Sequence, residues 1–263
     1  METGLRGKTA LVTGGSSGIG KGIAQALAGE GVDLAIASRN PDPAVVGEVE
    51  RHGVRCVLLH ADVSQEAEVS TMVDEAIAAL GHVDLYVNNA AWTWHQPVTK
   101  VTSEGWHNTL NTNLSAAMWA TRTVAKHMIA RRTGSMVIVG STVRFRPAYT
   151  ETAYRVSKVG LKALMEQLAL ELGPYGLRVN MVTPGHYQTR MTATVSEDAE
   201  ARLKEAIPLH RFGDPTEVGH AAAFLLSDRL SAYTTGAEIV VDGGLAMSPL
   251  HPGTRETLEA LNR

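Results

Sequence analysis

The sequence predicts an α/β fold: a single doubly wound domain whose seven-stranded parallel sheet carries helices on both faces. Three observations predict it. Short β-like runs alternate with longer helical patterns along the chain, and such alternation implies parallel strands joined by right-handed crossovers. Most of the β-like runs are apolar at consecutive positions, which suits strands covered on both faces. A glycine-rich stretch, Thr13-Gly14-Gly15-Ser16-Ser17-Gly18-Ile19-Gly20, joins the first β-like run to the first helical one.

Strands are expected at 9–13, 33–38, 55–60, 85–88, 135–140, 178–183 and 238–242. Helices are expected at 19–29, 44–52, 65–80, 104–131, 153–172 and 216–226. Ser103-Glu104 can open the fourth helix by side-chain capping. Gly173-Pro174 stops the fifth, because proline cannot continue a helical ladder. No linker, low-complexity tract or short repeat divides the chain. Two stretches break the alternation. The polar stretch 185–207 lies between a strand and a helix and is expected to form a loop or lid over the substrate (186–207). The tail 245–263 contains Pro249, Pro252 and Gly253 and ends in a helix-like 254–262; it docks on the body, on a neighbouring subunit, or on nothing.

The 263 residues suffice for a large core. With 44% hydrophobic and 19% charged residues the composition is that of a soluble globular protein. A net charge of −3 supplies no broad basic field, so nucleic acid is not an expected partner. Cys56 is the one cysteine, so no intrachain disulfide can form, and its apolar surroundings mark it as core. The N-terminus has no apolar signal core, no run approaches the ~18 apolar residues of a membrane helix, and the expected location is the cytoplasm.

Gly14, Gly18 and Gly20 lie where the first strand must turn into the first helix. Missing Cβ atoms let backbone approach a pyrophosphate, and a helix N-terminus offers free N–H groups and positive dipole. The spacing is Gly-x3-Gly-x-Gly, and the turn is either a nucleotide cradle, with Ser16, Ser17 and Ile19 as further contacts, or a tight turn with no ligand. The second strand ends in Ser38-Arg39-Asn40, without the acid that would bind the ribose hydroxyls of NAD. Arg39 offers a fork of donors suited to a 2′-phosphate and Ser38 a hydroxyl, which favours NADP(H); otherwise Arg39 is a solvated loop residue or stacks on adenine. Asp62-Val63, after the third strand, could bracket the adenine or simply lead into the next helix.

Tyr154 and Lys158 stand at i and i+4, on one helix face. A phenol of pKa near ~10 is a poor acid or base at neutral pH. An ammonium about 4 Å away is worth at most about 4 kcal/mol at an effective dielectric of about 20, enough to lower that pKa by as much as about 3. Such a phenol could exchange protons with a substrate oxygen. Ser141 ends the strand ahead of this helix, at the sheet edge where ligands of such folds bind; its hydroxyl either holds a carbonyl or alcohol oxygen or shapes a turn.

With these residues in place, the chain resembles the short-chain dehydrogenase/reductase family in its compact form. Thr13–Gly20, Asn88-Asn89-Ala90-Ala91, Asn113, Ser141, Tyr154, Lys158, Pro184-Gly185, Thr189 and Asp242-Gly243-Gly244 match its motifs in order, from about Gly7 to Leu245. The one clear departure is Ala91, where the family has glycine. The resemblance implies a Rossmann-type domain, with Tyr154 as acid/base and Lys158 lowering its pKa and holding the nicotinamide ribose. It further implies that Ser141 orients the substrate oxygen, that Asn113 supports a water linking Lys158 to solvent, and that Asn89, Ala90, Ala91, Pro184, Gly185 and Thr189 contact the cofactor. It also implies a homotetramer or homodimer.

Trp92, Trp94 and His95 after the fourth strand, Val143 and Arg144 after Ser141, and His186, Tyr187 and Met191 after Pro184-Gly185 are the substrate-facing candidates. Aromatic walls with arginines suit a polar or anionic small molecule, although salt-bridging or subunit contact serves equally for Arg144 and Arg146. No metal-ligand spacing occurs, so no catalytic metal is expected. The leading expectation is NADP(H)-dependent interconversion of a ketone and a secondary alcohol on a small polar substrate, of the specialised-metabolite or polyol and sugar kind. The alternatives are a 3-oxoacyl-[acyl-carrier-protein] reductase, a catalytically silent NADP(H) sensor, and an assembly protein that uses the fold as a scaffold.

Overall fold

The strand order is β3-β2-β1-β4-β5-β6-β7, with all pairs parallel. The computed structural model describes residues 2–187 and 197–248. The strands are β1 (Thr9–Thr13), β2 (Asp33–Ser38), β3 (Cys56–His60), β4 (Leu85–Asn88), β5 (Gly134–Val139), β6 (Leu177–Pro184) and β7 (Glu238–Val241). The order reverses between β1 and β4, so their carboxyl ends border the crevice of a Rossmann-type sheet.

The period-two alternation of β1 shows why both faces need cover. Leu11 belongs to one buried cluster with helices α3 (Glu66–Leu80), α5 (Ala116–Arg131) and α6 (Thr152–Leu172). Ala10 and Val12 belong to the other, with α1 (Gly18–Gly29), α2 (Ala44–Glu50) and α8 (Pro215–Leu226). On that second face α1 and α8 pack backbone to backbone. A Cβ on Gly219 would stand 2.6 Å from the Gly22 carbonyl oxygen and 2.6 Å from Ala26 Cβ, so two glycines permit the approach. Asp214 and Glu217 form a full capping box at the start of α8, satisfying amide donors that the helix cannot. At its other end the guanidinium of buried Arg178 donates to the carbonyls of Leu225 at 2.7 Å and Leu226 at 3.1 Å, where a cation also suits the helix dipole.

Several expectations need correction. Residues 104–131 are not one helix. They comprise α4 (Ser103–Leu110), a wide π-type turn at Asn111–Ser115, and α5. The cap of α4 is Thr102, whose hydroxyl accepts from Gly105 N at 3.1 Å, rather than Ser103. Arg55 precedes β3 and is paired with Asp33, with Nε 2.8 Å from the carboxylate. The stretch expected as a loop contains the helix α7 (Glu197–Glu205); residues 188–196 of that stretch and the tail beyond 248 lie outside the described residues. Cys56 is half-buried in β3, and burial, helped by the charge of Glu50, pushes its thiol up to about 11, the chemistry of a core residue. Among the described residues, no helix is long and apolar enough to cross a membrane.

Candidate active site

The glycine turn is pinned from the neighbouring strand. Asn89 Nδ2 donates to the carbonyls of Thr13 at 3.0 Å and Gly14 at 3.1 Å, and the Asn89 and Ala90 amides donate to Thr13 Oγ1 at 3.0 and 3.1 Å. Gly14 (φ 66°) and Gly18 (φ 53°) both occupy left-handed backbone, which a side chain would strain. A Cβ on Gly14 would stand 2.8 Å from Asn89 Nδ2, and one on Gly20 would collide with the Gly14 carbonyl. Ser17 precedes α1 in extended backbone with its side chain making no cap bond, and no acid occupies the first turn. The positive end of α1 therefore keeps its amide donors for an anion, and the cradle fits a pyrophosphate.

Further along the cleft, Ser16 Oγ donates to Ser38 Oγ at 2.9 Å, which places both hydroxyls at the end of β2. Arg39 and Asn40 are exposed. The Arg39 guanidinium, with 55% of its side chain exposed, touches Asp62 at 3.8 Å, a loose pairing that a bound anion can displace. Of the two readings of Asp62, the helix approach is realised: its carboxylate accepts from Ser64 N at 3.0 Å and its amide donates to Glu68 at 2.8 Å. Burial alone would raise this carboxyl, but the Ser64 bonds and Arg39 more than offset it and hold it below the usual range. Val63 turns its side chain into the core, at 8% exposure, and so does not bracket a ring. Ile19 packs against the core beside the turn, Gly20 is buried, and Ala91 is exposed at the end of the β4 extension.

Three hydroxyl and amine groups converge beyond β5. Ser141 is extended (φ −167°), its Oγ accepting from Val143 N at 3.3 Å, and its hydroxyl lies close enough to the Tyr154 phenol to act on its ionisation. Lys158, 3% exposed, lies a turn after Tyr154; its Nζ donates to the Val139 carbonyl at 3.0 Å and stands 5.8 Å from the Tyr154 ring centre. Burial lowers this ammonium to about 8. The expected acidification of Tyr154 is not present; its pKa is raised. Burial raises the phenol, the nearby Ser141 hydroxyl opposes that, and the charge of Glu151 adds to it. Desolvation of a phenolate outweighs an ammonium that lies beside the ring and is tied to a carbonyl.

Asn113 is fully buried within the π-type turn. Its Oδ1 accepts from Trp92 N at 2.7 Å, and its Nδ2 donates to Trp92 O at 2.9 Å and Ser157 Oγ at 3.1 Å. Ser157 Oγ donates in turn to Tyr154 O at 2.6 Å. Both amide hydrogens are thus taken by protein. The side chain braces the β4 extension against α6 and has no donor left for the water expected of it.

The cleft mouth brings some substrate candidates together and removes others. Trp92 and Trp94 stack in near-parallel planes, with centres 6.3 Å apart, and Trp94 lies flat on Gly105 of α4. His95 is largely exposed, with Nε2 3.3 Å from Thr93 Oγ1. His186 is half-buried against the Phe212 ring, and burial lowers its pKa. Val143 is buried, and its carbonyl accepts from Arg155. Arg144 does not face the cleft as a free cation: it pairs with Glu238, which also accepts from Thr183 Oγ1 at 2.6 Å. Tyr187 is not substrate-facing either; it is 3% exposed and its hydroxyl donates to Val241 O at 2.7 Å. Pro184 ends β6 and the Gly185 amide donates to Val241 O at 3.0 Å. Thr189 and Met191 lie outside the described residues.

Sequence reading passed over Glu151, which stands directly before α6 and a helical turn ahead of Tyr154. The i and i+3 spacing was available as a signal. Among the described residues no three His, Cys, Asp or Glu side chains group as metal ligands.

Comparison with known proteins places this geometry in context. Residues 14–246 match the family model described as Enoyl-(Acyl carrier protein) reductase. The 3-oxoacyl-[acyl-carrier-protein] reductase FabG of Staphylococcus epidermidis is 35% identical over 243 residues, 91% of this chain and 99% of the relative. The enzyme of that name from Aquifex aeolicus is 35% identical over 248 residues, 93% of this chain and all (100%) of its own. Among solved structures, a putative short-chain alcohol dehydrogenase from Sinorhizobium meliloti 1021 superposes with a TM-score of 0.90 at 34% identity, covering 95% of this chain and 100% of its own. A putative gluconate dehydrogenase from Agrobacterium tumefaciens superposes at 0.87 with 32% identity, covering 94% and 98%.

Proposed function

Because the chain belongs to the short-chain dehydrogenase/reductase family, and is thereby a nicotinamide-dependent oxidoreductase, we propose that it interconverts a ketone and a secondary alcohol with NADP(H). The observation that carries this reading is buried Lys158 with its ammonium 5.8 Å from the Tyr154 ring and anchored to the end of the strand that leads into Ser141, set beside a glycine turn whose amides are uncapped. When bound, the nicotinamide donates or accepts the hydride. Ser141 and Tyr154 hold the substrate oxygen between two hydroxyls. In reduction, the Tyr154 phenol oxygen releases its proton to that oxygen; in oxidation it takes the proton back. Lys158, near its neutral point, favours the phenolate as a close cation when protonated. Asn113 fixes the β4 extension against α6, so the two halves of the cleft keep register.

Within this class the FabG relatives support a 3-oxoacyl thioester substrate better than the polyol or sugar kind expected from the pocket residues. A small hydroxylated substrate is the second reading. It is favoured by the Glu151–His95 pair at the mouth and by the likeness to a putative gluconate dehydrogenase. The preference for NADP(H) rests on Ser38 and Arg39 at the end of β2, where no acid stands. The same reading includes one dinucleotide-binding and catalytic unit, a homotetramer or homodimer, and a cytoplasmic location.

The test is the loss of NADPH absorbance with acetoacetyl thioester and with a panel of simple and hydroxylated ketones. Turnover of at least one ketone is expected. Tight NADPH binding with no consumption on any of them would replace this reading with that of a sensor, and no nucleotide binding at all with that of a scaffold.

A further inference from the structure

Glu151 is an acid in an expensive place. Its side chain is only 21% exposed, and its ion-pair neighbour is the His95 imidazole, Nδ1 at 3.8 Å, longer than a direct hydrogen bond. It occupies the cap position of α6, yet its side chain makes no cap bond. A carboxylate withdrawn from water and left without strong donors is unfavourable, and burial does raise its pKa, with His95 opposing. The backbone around it is held against its own preference. Thr150 is β-branched and left-handed (φ 66°), and its carbonyl accepts from Gln96 N at 3.0 Å. That bond ties the loop after β4 to the loop before α6 and sets Glu151 beside His95. Strain maintained by surrounding contacts points to function at such a position.

The carboxylate also shares the reacting cleft. It precedes Tyr154 by one helical turn, and its charge is felt at the phenol. Glu151 and Tyr154, at i and i+3, share one side of the start of α6, so a substrate with its reacting oxygen on Tyr154 can carry a neighbouring group within reach of Glu151.

We propose that Glu151, steered by His95, is a specificity-determining residue that accepts a hydrogen bond from a hydroxyl or ammonium group on the carbon next to the reacting one. The substrate class is then the α-hydroxy or α-amino ketone and the corresponding vicinal diol or amino alcohol. A carboxylate at that carbon is repelled. This inference rests on the ketone–alcohol reading above.

The experiment compares kcat/KM for an α-hydroxy ketone with that for the plain ketone lacking only the hydroxyl, in the unmodified protein, Glu151→Ala, Glu151→Asp and His95→Ala. The unmodified protein should prefer the hydroxy ketone, and Glu151→Ala should reduce that preference by about 10- to 100-fold, the worth of a hydrogen bond to a charged group, chiefly through KM. Glu151→Asp should restore part of it. His95→Ala, in an exposed loop, should reduce it less and serves if Glu151→Ala does not fold. An unmodified protein that reduces plain ketones or acetoacetyl thioester with no preference for the hydroxyl would overturn this inference and leave the ketone–alcohol reading intact. So would a preference that survives both Glu151→Ala and His95→Ala. Absence of turnover on every ketone would remove both.

Discussion

The Lys158 ammonium donates at 3.0 Å to the carbonyl of Val139, the end of the strand that leads into Ser141. One bond therefore ties α6 to β5 directly beneath the reacting groups, and it does so with a charge that is 3% exposed. Burial lowers that pKa from 10.5 to about 8. A base whose folded pKa lies below its unfolded one binds fewer protons when folded, so stability rises with pH across that interval. Between pH ~8 and pH ~10.5 the gain should approach about 3 kcal/mol. Urea unfolding at pH ~7.5 and ~10 should show this gain in the unmodified protein. Lys158→Met should lack it, because nothing titrates at that position. Equal pH slopes in both would contradict the assignment.

Tyr154→Phe keeps the ring and removes the proton. Turnover should fall by about 10³-fold, within the range for loss of a positioned acid, while NADPH still quenches protein fluorescence with unchanged affinity. Retained turnover would take the proton-transfer role away from Tyr154.

Arg39→Ala removes the exposed fork at the end of β2 and the Asp62 contact with it. Affinity for NADPH should drop by about 10- to 100-fold, as for a lost charge-assisted pair, and affinity for NADH should hardly move. Isothermal titration with both nucleotides decides it; parallel losses would mean that Arg39 does not read the 2′-phosphate.

Asn113→Ala leaves the Trp92 amide, the Trp92 carbonyl and Ser157 without their partner. Orphaned buried polar groups cost about 1–3 kcal/mol each when unrelieved. Ser157 keeps its bond to Tyr154 O, so two groups are orphaned and the loss in denaturant unfolding should be roughly 2–6 kcal/mol, and KM should rise as the β4 extension drifts from α6. A variant of unchanged stability would show that these bonds are replaceable.

Much of the sheet was legible because buried parallel strands carry apolar residues on both faces: Leu11 faces one cluster while Ala10 and Val12 face the other, and these three consecutive positions are all apolar. The break at Asn111–Ser115 was not legible. A π-type turn inserts its extra residue without disturbing composition or hydrophobic spacing enough to show, and the sequence reads on as one long helix. Thr102 was missed for Ser103 because two adjacent hydroxyl residues offer the same capping chemistry and only backbone geometry chooses. Arg144 and Tyr187 were expected at the cleft from their position along the chain, but long side chains can turn away. Glu238 and the Val241 carbonyl, both distant in sequence, claimed them. Glu151 escaped notice for the converse reason. Its significance lies in burial and in the left-handed Thr150 beside it, neither of which a string of letters displays.

The bare contact between Gly22 and Gly219 reaches further than packing. Gly22 lies just past the turn that would receive the dinucleotide, so the seat of α8 sets the direction in which the amides of α1 aim. A methyl group at Gly219 would meet the Gly22 carbonyl and Ala26 and force α1 and α8 apart, so a substitution there should weaken nucleotide binding through the aim of the α1 amides.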